Sequence, residues 1–443
     1  MAKVLISVFS NVTFTKEKYH DSFVQNFINV LERMGNDVMS IFGNDYTDHP
    51  FKFKTINYIL KQELLEKVNK FNPDIIITFN NYFPCEEIIT KTDCPIILYT
   101  ADGCDFFAFQ DLIKKYNDRY IYLNLNESIY SNLREYYKFI KDSQFCDFGY
   151  ATDFRRQNID QDINISFLGS IPNVCFGNLH DYFMSVKSLP YKDAFFDALE
   201  RFKKNTYGKF DMVLDNFQTN IPIETLAIWL ITTKDRFMTL SNLTDLGLDI
   251  YGWKPSFVYA GMQNYELFKL YNPDICVTQE QSEFLYNRSK VSLNLPNARA
   301  QVGFSWRVPD ILASQSVLLC NKRKDLDRLL KGYTKIPQYE SPLEARDIAQ
   351  KLLKDDVWRK DISIACNQMI EDKCRFEDKI RNIQVHTGIC LESDKKGSHI
   401  FLTNKFKVNS DTNINKKKKK RKRDKILHEA TKMLPYFIAK KLL

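Results

Sequence analysis

Residues 301–319, QVGFSWRVPDILASQSVLL, set Gly303, Ser305, Arg307 and Asp310 close together. A guanidinium donates two parallel hydrogen bonds to phosphate oxygens. A carboxylate three residues further along a helix shares the face of that arginine and accepts from ribose hydroxyls. Gly303 permits a tight turn, Ser305 suits a helix N-cap, and Pro309 is tolerated only near the first turn, which pins the helix start close to Ser305. First-turn amides freed in this way attract an anion. Together these are the parts of a nucleoside-diphosphate site. An ordinary loop-to-helix junction carrying a surface Arg–Asp pair has the same composition, and local chemistry leaves both readings open.

The elements that must position these residues follow from hydrophobic patterning. KVLISVFS, DVMSIFG, NPDIIITFN, CPIILYTADG, RYIYLNLN and SQFCDFGY are strand-like runs separated by helical patterns, among them about 20–34, 56–69 and 127–139. Strands alternating with helices predict a parallel, doubly wound sheet over residues 1–155. The alternation restarts at INISFLGSIPN and continues through LDIYGWK, SEFLYNRSKVSLNL and the 301–319 segment to a long amphipathic stretch after Pro342, a second α/β domain over 156–387. Two such domains face one another across a cleft at the carboxyl ends of their strands, where ligands of open parallel sheets bind. Residues 388–443 read as a polar linker and tail.

The chain has 443 residues and a net charge of +8. Residues 416–443 hold twelve Lys and Arg against Asp424 and Glu429, so the preceding chain is slightly acidic. This excludes general nucleic-acid binding by the body. KKKKKRKR is followed by Ile426, Ala430, Met433 and Phe437 at helical spacing, a pattern suited to an anionic membrane surface. A solvated tail or a nuclear-localisation sequence shares the same charge run. No apolar run is long enough to span a bilayer or to act as a secretory signal. The ten cysteines include no CxxC pair and read as free thiols of a reducing compartment.

The 301–319 segment resembles the donor region of CgeB-like glycosyltransferases, a group with two facing Rossmann-like domains, the GT-B architecture. The resemblance rests on Leu293 and Asn294, the Gly303, Arg307 and Asp310 spacing, and Val317 to Leu319. It extends to Gly169 and Ser170 after ISFLGS, and to Tyr251 and Gly252 in LDIYGW. It implies a donor site built from Gly169, Ser170, Tyr251, Gly252, Asn294, Gly303, Phe304, Ser305, Arg307 and Asp310. This sequence departs from the family in Asp310, one methylene shorter than the usual glutamate, and in Ala-Ser-Gln-Ser at 313–316, where glycines are usual.

The resemblance further implies transfer of a sugar from a nucleoside diphosphate to a glycan or glycolipid, without cofactor or catalytic metal; no nucleic-acid partner is expected, because the basic charge is confined to the tail. Helix amides and basic side chains then stabilise the leaving diphosphate. An inverting transfer needs a general base on the first domain. Asp102, at the end of PIILYTAD, is the first candidate and His20 the second; Asn11 and Thr13 are placed to line the acceptor pocket. Asp102 as a helix N-cap, and Trp253 and Trp306 as packing residues, are the bland alternatives. The expected setting is a bacterial capsule or lipopolysaccharide pathway at the inner face of the cell membrane. A nucleotide-sugar epimerase, a non-sugar group transferase and a non-catalytic nucleotide-binding protein use the same cleft.

Overall fold

The computed structural model describes residues 1–8, 20–42, 62–82, 85–101, 103–104, 107–171, 223–252, 263–272, 278–298, 300 and 302–402. Asp102, Asn11, Thr13, Trp253 and the 416–443 tail lie outside them.

Two wholly parallel sheets organise the chain. The first has seven strands in the order β12-β2-β1-β3-β4-β5-β6. Its strands are β1 (Lys3–Val8), β2 (Asp37–Phe42), β3 (Ile75–Phe79), β4 (Ile96–Tyr99), β5 (Tyr120–Asn124), β6 (Phe145–Asp147) and β12 (Ser398–Leu402). The second has five, β11-β10-β9-β7-β8, made from β7 (Ile163–Gly169), β8 (Leu248–Gly252), β9 (Ser289–Asn294), β10 (Val317–Asn321) and β11 (Gln338–Tyr339). Runs such as IIITF and VLLC are buried throughout, because helices cover both faces of a parallel sheet. Strand order reverses beside β1 in the first sheet and beside β7 in the second, which creates a crevice at each carboxyl edge.

The first sheet carries α1 (Ser22–Arg33), α2 (Gln62–Phe71), α3 (Glu86–Lys91), α4 (Gln110–Lys115) and α5 (Glu127–Tyr136). The second carries α6 (Ile223–Ser241), α7 (Tyr265–Lys269), α8 (Gln279–Arg288), α9 (Arg307–Leu312), α10 (Lys324–Leu329), α11 (Pro342–Lys354) and α12 (Asp356–Lys373). The expected two-domain α/β architecture is present. The long amphipathic stretch is three helices, because Asp355 caps α12 by accepting from the Trp358 amide and the chain turns again before α13 (Phe376–Thr387).

One expectation is corrected. Residues 388–402 are not linker: β12 pairs in parallel with β2, from Ser398 opposite Asp37 to Leu402 opposite Ile41. The helix before it, α13, packs on α1 and β6, and Phe376, Ile380 and Ile383 join the first domain's core. The segment SHIFL is too short and mixed to announce a strand. It becomes one because the edge of β2 offers unpaired backbone groups.

The chain therefore crosses between the sheets twice, near Thr152 and again near Arg375. The two crossings are tied together. The Thr152 amide donates to Cys374 O at 2.9 Å, and the buried Arg375 guanidinium donates to Phe154 O at 2.7 Å.

Candidate active site

The carboxyl ends of β7 and β9 flank the crevice of the second sheet, and Ser170, Asn294 and Ser305 of the expected residues lie beside it. Ser170 follows β7, and Asn294 ends β9 and donates through Nδ2 to Ser305 Oγ at 2.9 Å. Asn294 Oδ1 is buried without a partner. Tyr251 and Gly252 stand at the end of the edge strand β8, on the far side of β7. An added Cβ at Gly169 would lie 2.6 Å from the Phe167 ring, so that glycine makes room for an aromatic side chain.

The helix after the loop starts later than expected. It begins at Arg307, with Trp306 at the N-cap position and no side-chain cap. Ser305 instead takes the Asn294 amide, and its carbonyl accepts from the Val308 N–H at 3.0 Å. The helix is six residues long, too short for a large dipole. Attraction for an anion must come from side chains.

Two arginines supply it. Arg307 is half-buried at the start of α9 and has no hydrogen-bond partner among the described residues. Arg236, on α6, spans the crevice, donating to Ser170 O after β7 and to Leu295 O after β9, the latter at 2.9 Å. Burial and the neighbouring positive charge of Arg307 lower the Arg236 pKa to about 10. The Arg307 charge opposes that of the buried Arg236, and a dianion bound at the crevice would offset both. Arg236 was not found from sequence. Its signal is the polar run TTKDR within an otherwise apolar helix, whose Thr232 also accepts from the Ala298 amide at 2.9 Å.

The first domain grips the end of the loop that leads into α9. Trp306 stacks on Phe23 of α1 with ring centroids 5.0 Å apart, which bears out its reading as a packing residue. Phe304 stacks on Tyr150 at 3.9 Å. The Tyr150 hydroxyl donates to Asp325 Oδ2 at 2.9 Å and accepts from Asn126 Nδ2 at 3.1 Å. A Cβ on Gly303 would lie 2.9 Å from Asn126 Nδ2 and 3.0 Å from the Tyr150 hydroxyl. Gly303 thus allows close approach of the two domains.

Asp310 does not lie open to the cleft. It is 1% exposed, and its Oδ1 accepts from Thr152 Oγ1 at 2.6 Å. Its Oδ2 is buried and unpartnered. Burial raises its pKa to about 7, opposed by the Thr152 hydrogen bond and the Arg307 charge. Its carboxylate is turned to the segment that crosses between the sheets and away from the cleft.

His20 is also corrected. It is 4% exposed, its Nε2 is 2.8 Å from Ser40 Oγ, and Ser40 Oγ is 2.7 Å from His399 Nε2. Its ring packs on Phe42 and Phe401. Burial, reinforced by His399, lowers its pKa to about 3, so it cannot accept a proton near neutral pH. The next residue, Asp21, is the carboxylate presented to α9. It caps α1 through the Val24 amide at 3.1 Å; burial raises its pKa, while that amide and the Arg307 charge oppose the rise.

Among the described residues, no group of three or more His, Cys, Asp or Glu side chains is arranged to hold a metal ion. Asp102 lies outside the described residues, and two described residues near it in the chain, Ala101 and Ala108, are held by side chains after β3. Asn80 Oδ1 accepts from the Ala101 amide at 2.8 Å, and Asn81 Nδ2 donates to Ala108 O at 2.7 Å. The described cysteines are free, all buried except Cys390.

Comparison with known proteins agrees with this geometry. Residues 251–384 match a family described as glycosyl transferase-like. The fold is similar to that of sucrose-phosphate synthase from Thermosynechococcus elongatus, with a TM-score of 0.50 and 10% identity over 87% of this chain and 98% of that one. It is also similar to HepE from Anabaena in complex with UDP-glucose, with a TM-score of 0.51 and 6% identity over 88% of this chain and 100% of that one. Characterised protein sequences give no match. The two facing parallel sheets are the GT-B glycosyltransferase fold.

Proposed function

We propose that this protein is a glycosyltransferase that takes a sugar from a nucleoside-diphosphate donor. The observation that carries the reading is the convergence of Arg236 and Arg307 at the crevice of the second sheet. There, Arg236 holds the β7 and β9 ends while Arg307 has no hydrogen-bond partner among the described residues. In this reading the two guanidinium groups bind the diphosphate and stabilise the charge that develops as the sugar leaves. Asn294 and Ser305 line the same site, and Asn294 Oδ1 is free to accept from the donor. For an inverting transfer, Asp102 is the base that takes the acceptor proton.

The acceptor in this proposal is a lipid-linked or growing surface glycan, and residues 416–443 hold the enzyme on an anionic inner membrane face. Full-length protein should co-sediment with vesicles containing phosphatidylglycerol, and protein lacking 416–443 should not. Equal sedimentation would remove the membrane part of the proposal.

The donor reading is tested by titrating wild-type, Arg236→Lys and Arg307→Ala proteins with UDP, GDP, ADP, dTDP and CMP in a calorimeter. One nucleotide should bind wild type and bind each variant at least about tenfold more weakly, the loss expected for one charged hydrogen bond. Unchanged affinity in both variants would sink the assignment. Asp102→Asn should abolish transfer while leaving that affinity intact.

A further inference from the structure

The mechanism above leaves Asp310 unused, although it sits one helical turn from Arg307. A buried carboxylate with one unpartnered oxygen carries a large desolvation cost, so its retention next to the candidate site calls for a role. Its one hydrogen bond goes to Thr152, which lies on the outgoing crossing between the sheets. Thr152 is bound in turn to the returning crossing: its amide donates to Cys374 O, and its backbone bridges that of Arg375. The Phe154 amide donates to Thr152 Oγ1 at 3.0 Å, which orients that hydroxyl toward Asp310. The far end of α9 is held independently, because Asn367 Nδ2 of α12 donates to Leu312 O at 2.7 Å and to Ser314 O at 2.9 Å.

We propose that Asp310 is a positioning residue that latches α9 to both interdomain crossings through Thr152, so that the hinge sets where Arg307 stands in the cleft. The proposal rests on the reading of Arg307 as a donor-binding group. Rotation of one sheet relative to the other must pivot at the two crossings. The pivot carries Thr152, Thr152 carries Asp310, and Arg307 moves with the helix. Closure of the cleft is thereby coupled to presentation of the guanidinium.

Protonation of Asp310 adjusts the latch. The groups facing it are Arg307 on its own helix, Asp21 at the start of α1, Glu283 on α8 and the Tyr99 phenol at the end of β4. Only Arg307 among them favours the ionised form.

The test uses full-length wild type, Thr152→Val, Thr152→Ser, Asp310→Asn and the Thr152→Val/Asp310→Asn double variant. Two readouts are combined. The first is calorimetric affinity for the five nucleotides named above. The second needs no ligand: the pH dependence of Trp306 fluorescence, isolated by subtracting the Trp306→Phe protein, reports the position of the α9 start. Wild type should show a transition near pH 7. Thr152→Val should move it upward, because a hydrogen bond that favours the ionised form is lost. Thr152→Ser should restore it, and Asp310→Asn should abolish it.

Thr152→Val and Asp310→Asn should each weaken nucleotide binding by about fivefold to tenfold, and the double variant no further, as expected for residues acting as one unit. The proposal is overturned if wild type shows no transition, or if Thr152→Val leaves both readouts unchanged while Asp310→Asn alone weakens binding. The second outcome would make Asp310 a direct ligand. Failure of every nucleotide to bind wild type would defeat the donor-site reading, and the fluorescence transition would still decide the latch.

Discussion

Trp306 and Phe23 stack nearly face to face across the cleft, with 15° between their ring planes. One precedes the first residue of α9 and the other opens α1, so the candidate donor loop is held by the opposite domain. Tyr99 joins the same cluster, 5.1 Å from Phe23. An interface that plugs an aromatic side chain into another domain's core couples the two domains mechanically.

Removal of that plug should cost both stability and donor binding. Trp306→Ala should lose about 2 kcal/mol in urea unfolding, less than a fully buried tryptophan because the ring is half-buried. It should also weaken nucleotide binding, and Trp306→Phe should recover most of both. Wild-type nucleotide affinity in the alanine variant would show that the stack does not orient α9.

Gly303 should not tolerate a side chain. Gly303→Ala should destabilise by about 1–3 kcal/mol, the usual cost of overpacking, because its Cβ meets Asn126 and Tyr150. The same change in a Tyr150→Phe background should cost less, since one of the two close atoms is gone. Additive losses in thermal unfolding of the two single variants and the double would show that the contact is not limiting.

The buried His20 predicts acid sensitivity. Its folded-state pKa lies below the value near 6.5 that it has when unfolded, so between these values the unfolded chain binds more protons. Stability contributed by neutral His20 is fully present above pH 6.5. It declines as pH falls toward the folded value, by up to about 1.4 kcal/mol per pH unit. His399, also lowered by burial, adds in the same direction. Urea midpoints measured from pH 7.5 to pH 4.5 should fall less steeply for His20→Gln than for wild type; parallel curves would contradict the assignment.

Arg236 has a structural and a binding role that substitutions should separate. Arg236→Met leaves the Ser170 and Leu295 carbonyls without their donor and should destabilise by about 1–3 kcal/mol. Arg236→Lys keeps the charge and loses the fork, so thermal stability should change less while diphosphate affinity still falls. Affinity unchanged in the lysine variant would assign diphosphate binding to Arg307 alone.

Strands β1 to β10 were legible because nearly all are short apolar runs that a parallel sheet buries, whereas the two-residue β11 and the mixed SHIFL of β12 were not. The second sheet was legible from the restart of that alternation after residue 155. The placement of the candidate residues was partly legible: Asn294, Ser305 and Arg307 lie at a strand end, in the loop after it and at the head of α9. Ser305 failed as a cap and Asp310 as a cleft carboxylate for the same reason. A one-dimensional spacing states which residues share a helix face. It does not state what the rest of the chain brings against that face.

Local pattern alone determined the two sheets, the cleft between them and the arginine at the head of α9, because hydrophobic periodicity and turn chemistry are properties of neighbouring residues. Tertiary structure alone decided the remainder. It brought Arg236 to Arg307 from 71 positions away in the chain, turned Asp310 toward Thr152 of the interdomain crossing, enclosed His20 between β2 and β12, and drew residues 398–402 back to the first sheet. Each of these depends on contacts between segments remote in sequence, and such contacts exist only once the two cores have packed.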